Sequence, residues 1–102
     1  MSVSFFDHVA PAPDVMFRVV GDESVLLNLK REEYLGLDPV STRMWTVLTE
    51  SDSIQNAYQT LLTEYDVEAT QLRQDLEELL KKLLENELIL ILPGNAALQT
   101  QS

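Results

Sequence analysis

The sequence contains no cysteine, a single histidine and only three glycines. Because a disulfide, a thiolate metal site and a cysteine nucleophile all need the missing residue, none of them can form within this chain. His8 has no second imidazole with which to build a zinc set or a catalytic dyad of familiar composition. Gly21, Gly36 and Gly94 are scattered and form no phosphate-cradling loop. These absences disfavour an enzyme, and we expect no cofactor and no bound metal.

Basic residues are also few, since seven Lys+Arg stand against seventeen Asp+Glu, a formal net charge of -10. A surface of that sign repels nucleic-acid phosphates and anionic membranes, so neither is an expected partner. No apolar run approaches the ~20 residues that span a bilayer, and the first residues lack the basic start and long apolar stretch of a secretory signal. A soluble cytoplasmic protein of one domain is the prediction.

Composition divides the chain into three parts. Residues 1–13 contain the prolines of "APAP" and predict an extended or flexible arm, in which His8 is expected to be exposed. Residues 14–92 are the expected folded body. Residues 93–102 begin with Pro-Gly and have no apolar periodicity, so a flexible tail is predicted.

Alternating apolar residues predict three strands at the front of the body. The segments "VMFRVV" (15–20) and "SVLLNLK" (24–30) alternate with a period of two, and Gly21-Asp22 between them suits a two-residue turn. The segment "EYLGL" (33–37) alternates in the same way. Its Gly36 indicates a place where another backbone can come close. Together the three segments predict an antiparallel meander whose short last strand lies at an edge.

The rest of the body predicts three helices. Asp38 is a good N-cap, because the proline after it suits the first helical position. A second helix begins near Asp52 or Ser53, and a third covers about residues 68–86 with leucines at helical spacing. The run "LILIL" (88–92) is a candidate for a last short strand. The fold class is therefore α+β and winged-helix-like: a three-stranded antiparallel sheet followed by three helices, with a short C-terminal strand as an option.

Two other functions fit parts of this pattern. Asp52-Ser53-Ile54 at a helix start resembles the phosphopantetheine attachment site of acyl or peptidyl carrier proteins, in which Ser53 would carry the arm. The simpler interpretation is a helix cap, because a carrier protein needs a helix and a long loop before that serine. A winged-helix interaction module stays open as well. DNA is not its expected ligand, since the third helix and its ends carry six carboxylates against three basic residues.

Two long stretches carry a pattern that covers most of the body. They are "SVLLNLKREEYLGLDPVSTRMWTVL" (24–48) and "AYQTLLTEYDVEATQLRQDLEELLKKLLENELI" (57–89). They combine Leu-Leu-x-Leu, Tyr-x-x-Leu, a Trp-containing helix, Tyr-Asp-Val, and Asp-x-x-x-Leu-Leu before a final Leu-Ile. Over about residues 14–92 this pattern resembles the PqqD-like family, whose members recognise ribosomally made, post-translationally modified peptides. The chain departs from the family at Asp38, where Asn is usual, and at Glu87, where Gly is usual.

The resemblance implies recognition without catalysis. Family members bind the leader segment of a precursor peptide as an added strand beside the third strand, in a groove shared with the third helix. They present the attached core to modifying enzymes. The implied partners are a precursor peptide with either a leader peptidase and a cyclase, as in lasso-peptide pathways, or a radical enzyme, as in pyrroloquinoline quinone synthesis. The pattern between Tyr34 and Trp45 favours the lasso type. The implied leader-binding residues are Glu33, Tyr34, Leu35, Gly36, Leu37, Leu72, Asp75, Leu76, Leu79 and Leu80.

The residues themselves fit such a groove. An exposed edge strand offers unpaired N–H and C=O groups, and strand addition uses them for affinity while alternate side-chain pockets give specificity. Leucines 72, 76, 79 and 80 cannot all point the same way, so we expect at least one to face the groove. The alternative that all four belong to the core stays open, because wide apolar faces are normal on buried helices.

Overall fold

The computed structural model describes residues 3–93. The elements within this range are β1 (His8–Pro11), β2 (Val15–Val20), β3 (Glu23–Asn28), β4 (Glu33–Leu37), α1 (Pro39–Glu50), α2 (Ile54–Glu64), α3 (Ala69–Glu85) and β5 (Ile89–Leu92). Strands β2, β3 and β4 form an antiparallel meander in that order, and β1 pairs with β5 in a separate antiparallel ribbon. The predicted α+β architecture is confirmed, including the short strand after the third helix.

Side-chain caps fix where the first two helices begin. The Asp38 carboxylate accepts a hydrogen bond from the Ser41 backbone N–H at 2.7 Å, and the Ser53 hydroxyl accepts one from the Asn56 N–H at 3.1 Å. Each bond satisfies a donor that the first turn of a helix leaves free. Asp38 is therefore the single residue between β4 and α1, so the strand leads directly into the helix.

The end of α3 takes a left-handed turn at Glu87, whose φ is 55°. The Leu88 N–H donates to the Leu83 carbonyl at 2.9 Å, and the Glu87 N–H donates to the Leu84 carbonyl at 3.0 Å. This pair of bonds is the Schellman motif, which favours glycine at the left-handed position. Glu87 therefore keeps the backbone shape for which glycine is the usual residue, at the cost of steric strain.

The N-terminal segment takes part in the fold. Phe5 and Val9 are buried in the core, and β1 pairs along its length with β5. The N–H groups of Ile54 and Gln55, at the start of α2, donate to carbonyls of this segment at 2.8 and 2.7 Å. His8, expected to be exposed, is half-buried with Nδ1 at 2.9 Å from the Ser51 carbonyl oxygen. Residues 3–13 contain a turn at residues 4–7 and strand β1, and they are attached to the body. Residues 94–102 of the predicted tail lie outside the described residues.

One hydrophobic core joins the helices to the inner face of the meander. On the sheet, Leu26 is fully buried, and Phe17 stacks on the buried Trp45 of α1 with ring centroids 5.8 Å apart. Ser24 and Thr42 share a hydrogen bond of 2.8 Å between the same two elements. The helices complete the core with Met44, Leu48, Ile54, Leu61, Leu76 and Leu83. Within residues 3–93, this core covers one face of the meander and not the other.

Candidate functional site

Strand β4 is an edge of the meander. Within residues 3–93 it pairs with β3 alone, so the backbone groups on its other side have no strand neighbour. Its side chains alternate, because Leu35 and Leu37 turn towards the core while Tyr34 and Gly36 lie on the outer face. Tyr34 is 75% exposed. The predicted edge strand is therefore present, with its backbone accessible to a partner.

Asn28 fixes one end of β4 against α3. Its side-chain amide donates to the carbonyls of Asn86 and Glu87 at 3.1 and 3.2 Å, and its side-chain carbonyl accepts from the N–H groups of Lys30 and Arg31, both at 3.1 Å. Asn28 is buried, and in the described residues no buried side-chain polar atom lacks a partner. One side chain thereby joins the β3–β4 turn to the C-terminal end of α3.

Arg31 reinforces the same junction from the surface. Its guanidinium donates to the Glu85 carbonyl at 3.2 Å and lies 3.4 Å from the Glu87 carboxylate. It also pairs with Glu33, the first residue of β4, at 3.0 Å. The start of β4 is therefore held beside the end of α3.

At its other end, β4 leads into a cavity between the first turn of α1 and the middle of α3. The cavity has a volume of about 350 Å³. Asp38, Val40 and Met44 line it from one side, and Asp75 and Leu79 line it from the other. Each end of β4 is thus connected to α3: the Asn28 junction holds its start, and Asp38, just after its last residue, shares this cavity with the middle of α3. We call the surface between these two connections the groove.

The predicted helix residues separate into two groups. Leu72, Leu76, Leu79 and Leu80 are all buried, and Asp75 is exposed with its carboxylate accepting from Gln71 at 2.9 Å. Asp75 and Leu79 alone among these five border the cavity between α1 and α3. Leu80 instead lines a cavity of about 570 Å³ between α3 and the N-terminal segment, away from β4. Leu79 is thus the leucine of the four that the groove exposes on one side.

Sequence reasoning missed several residues at this site. Asn28 alternates with apolar neighbours in the sequence, and that pattern does not predict the four hydrogen bonds that its side chain makes. Val40 fits the inward stripe of α1 by spacing, yet it is 43% exposed and lines the cavity with Met44. Lys82 contributes the cavity's basic group. A valine in the first turn after an edge strand was the one available signal, and periodicity alone does not distinguish such a valine from a core residue.

Two ionisable groups of the described residues have clearly shifted pKa values, and they pair with each other. Hydrogen bonds from Arg43 to Glu64, at 2.8 and 2.6 Å, lower the pKa of the Glu64 carboxyl and raise the pKa of Arg43. This pair joins α1 to α2 and does not line the groove. Among residues 3–93, no cluster of His, Asp and Glu is placed to hold a metal ion. No helix in that range is both long and apolar enough to cross a membrane.

A family model described as "Coenzyme PQQ synthesis protein D (PqqD)" matches residues 23–89. The chain belongs to the PqqD family. The range matched by PqqD begins at β3 and ends at the start of β5, so it contains β4, α3 and the Asn28 junction. None of the curated proteins matches the chain.

One solved structure similar to this PqqD-family chain is described as "TbiB1 in Complex with the TbiA(beta) Leader Peptide". The TM-score is 0.73 and the sequence identity is 31%, with 78% of this chain and 93% of that chain covered. The similarity therefore includes nearly the whole of TbiB1 and extends to sequence as well as fold.

Proposed function

We propose that this chain is a non-catalytic recognition protein that binds the leader segment of a ribosomally synthesised precursor peptide. The observation that carries the proposal is the accessible edge of β4 beside α3, in a chain of the PqqD family. The similarity to TbiB1, whose structure is a complex with a leader peptide, supports it. Leader binding then needs no catalytic group on this chain.

The binding mode that the geometry favours is strand addition to β4. An added strand uses the free N–H and C=O groups of the edge for affinity, and its alternate side chains enter pockets on either face. Leader side chains on the inner face would lie in the groove near Leu35 and Leu79, whereas those on the outer face would lie over Tyr34 and Gly36. Because the Asn28 junction fixes the spacing between β4 and α3, the groove is formed before the peptide arrives.

The bound precursor would be presented to modifying enzymes. Of the two partner sets, we favour the leader peptidase and cyclase of lasso-peptide pathways over the radical enzyme of pyrroloquinoline quinone synthesis, on the pattern between Tyr34 and Trp45. The description of the matching family names the second pathway. Co-purification with each candidate set, with the precursor added and omitted, distinguishes the two.

The carrier-protein alternative depends on Ser53. Ser53 caps α2, and its hydroxyl accepts the Asn56 N–H. A helix cap is a sufficient reason for a serine at that position. No observation on the described residues favours phosphopantetheine attachment there.

Hydrogen exchange tests the proposal directly, with the TbiA(beta) leader peptide and peptides selected from a displayed random library as probes. Saturable binding is expected in fluorescence polarisation, with none to duplex DNA at moderate salt. Bound peptide should slow amide exchange in β4. Strand β2 is the matched control, because it is the other edge of the same meander and should exchange as before. Protection of β2 alone, or tight binding of DNA, would contradict the proposal.

A further inference from the structure

Gly36 leaves a hollow on the outer face of the meander. A Cβ atom added there would meet no atom within 4 Å. The backbone itself does not need glycine, because the only glycine of positive φ in the described residues is Gly21. The hollow has a volume of about 420 Å³ and is lined by Val20, Glu23, Ser24, Val25, Gly36, Leu37 and Asp38. We call it the Gly36 hollow.

Strand register determines what would enter the Gly36 hollow. Gly36 pairs with Val25, and Val25 pairs with Arg18 on the next strand. Residues paired across strands point to the same face of a sheet, so a residue of an added strand opposite Gly36 would also point outward. With no side chain on Gly36 in the way, that residue could lie over the glycine and reach Val25.

The neighbouring row of outward-facing residues borders a second side of the Gly36 hollow. Tyr34 pairs with Leu27, and Leu27 pairs with Met16, so these three side chains lie on the same face as the Gly36 hollow. Tyr34 is exposed and stands one row away. Diagonal neighbours on one face are close enough for aromatic side chains to touch. A ring over Gly36 would therefore contact Val25 on one side and Tyr34 on the other.

We propose that the Gly36 hollow is a side-chain subsite for an aromatic residue of the bound leader, at the leader position that pairs with Gly36. This inference rests on the proposed function. A ring laid over an edge glycine covers the bare backbone and restores the packing that the missing side chain removes. Glu23 and Asp38 border the hollow and disfavour a carboxylate there, whereas the one cation in the row, Arg18, stands a strand further away, beyond Val25. A small side chain would leave it unfilled.

The test uses a displayed random peptide library selected on the immobilised full chain. Peptides that bind should share an aromatic residue at one position. One such peptide, and its variant with alanine in place of the aromatic residue, are then tested for affinity to the parent protein and to Gly36→Val by fluorescence polarisation. Valine is suited to a strand, and its Cβ meets open space, so the thermal midpoint should be maintained or rise. Gln59→Val, an exposed position on α2, is the matched control.

Removal of the ring should weaken binding to the parent protein by about tenfold. Gly36→Val should weaken binding of the intact peptide by a similar factor. On Gly36→Val, removal of the ring should then have little further effect, since the same contact is already lost. Gln59→Val should bind like the parent.

Unchanged affinity of the intact peptide for Gly36→Val would overturn the subsite, while protection of β4 in hydrogen exchange would leave the proposed function in place. The aromatic assignment would be overturned if the peptide residue whose contact is lost in Gly36→Val proved to be aliphatic. If selected peptides bind without protecting β4, the proposed function itself fails, and the subsite fails with it.

Discussion

Helix α3 and strand β4, the two walls of the proposed leader site, are built in opposite ways. The leucines of α3 are buried, with Leu76 fully inaccessible, whereas β4 presents Tyr34 at 75% exposure and one unpaired backbone edge. A residue fixed by core packing is costly to vary, because its neighbours fit it closely. If the proposed leader site is correct, α3 supplies its rigid wall, and the exposed residues of β4 are the ones free to vary with the peptide.

The largest expected effect is a difference in unfolding free energy between a variant of α3 and a variant of β4. Leu76→Ala should lower the free energy of unfolding by about 2–5 kcal/mol, because it leaves a cavity in the core. Tyr34→Ala, at an exposed position, should change it by less than about 0.5 kcal/mol but weaken peptide binding. Urea unfolding and fluorescence polarisation measure the two quantities. Equal losses of stability in both variants would remove the distinction between the walls.

The second largest loss of stability is expected at the Asn28 junction between β4 and α3. Asn28→Ala removes four hydrogen bonds and leaves the Asn86 and Glu87 carbonyls without their donor. We expect a loss of about 1–3 kcal/mol in unfolding free energy, together with weaker peptide binding as the groove loosens. Asn56→Ala, whose side chain is exposed on α2, is the control and should be nearly neutral. A neutral Asn28→Ala would show that the junction does not hold the groove.

A gain in stability is expected at the end of α3. Glu87→Gly relieves the left-handed strain at φ 55° and should add about 1 kcal/mol to the free energy of unfolding. The exposed contact with Arg31, at 3.4 Å, is lost in the same change and subtracts little. Glu87→Ala is the control, because it loses that contact but keeps the strain. If alanine stabilises as much as glycine does, strain at Glu87 is not the cause.

The smallest effect lies away from the groove, at the Arg43–Glu64 pair. The pKa of Glu64 is lowered in the folded state by the hydrogen bond from Arg43, so its stabilisation is present at neutral pH. It should disappear as the pH falls through that lowered pKa. Because both side chains are partly exposed, Glu64→Gln should cost less than about 1 kcal/mol. Thermal unfolding of parent and variant from neutral to acid pH should converge, and peptide binding at neutral pH should be unchanged.

Local signals in the sequence were sufficient for the caps and the strands of the meander. Asp38 and Ser53 were identifiable because a cap needs only its own turn, and the strand at residues 33–37 followed from its alternation. The pairing of β1 with β5 was not predictable in this way, since the partners are about eighty residues apart and "APAP" has no strand pattern. Asn28 was missed for the same reason, because its partners lie at the far end of α3.

The division of the α3 leucines also needed the structure. Helical spacing shows that Leu72, Leu76, Leu79 and Leu80 share a broad apolar face, but it does not show where on that face the core ends. The position of α1 decides this, because its first turn leaves a cavity beside Leu79. Glu87 is a further case, since the family pattern usually has glycine there, but a left-handed glutamate is rare and its own residue type does not show that the turn is kept.

A proline scan of β4 tests strand addition most directly. Successive N–H groups of a strand point to opposite neighbours, so one alternate set between Glu33 and Leu37 faces β3 and the other faces the open edge. Proline removes the N–H, and at positions facing β3 it should unfold the domain. At positions facing the edge the fold should persist, and the dissociation constant for the TbiA(beta) leader peptide or a selected peptide should rise about tenfold, ~1.4 kcal/mol per lost bond. Folded proline variants that bind peptide as tightly as the parent does, at every edge-facing position, would contradict the account.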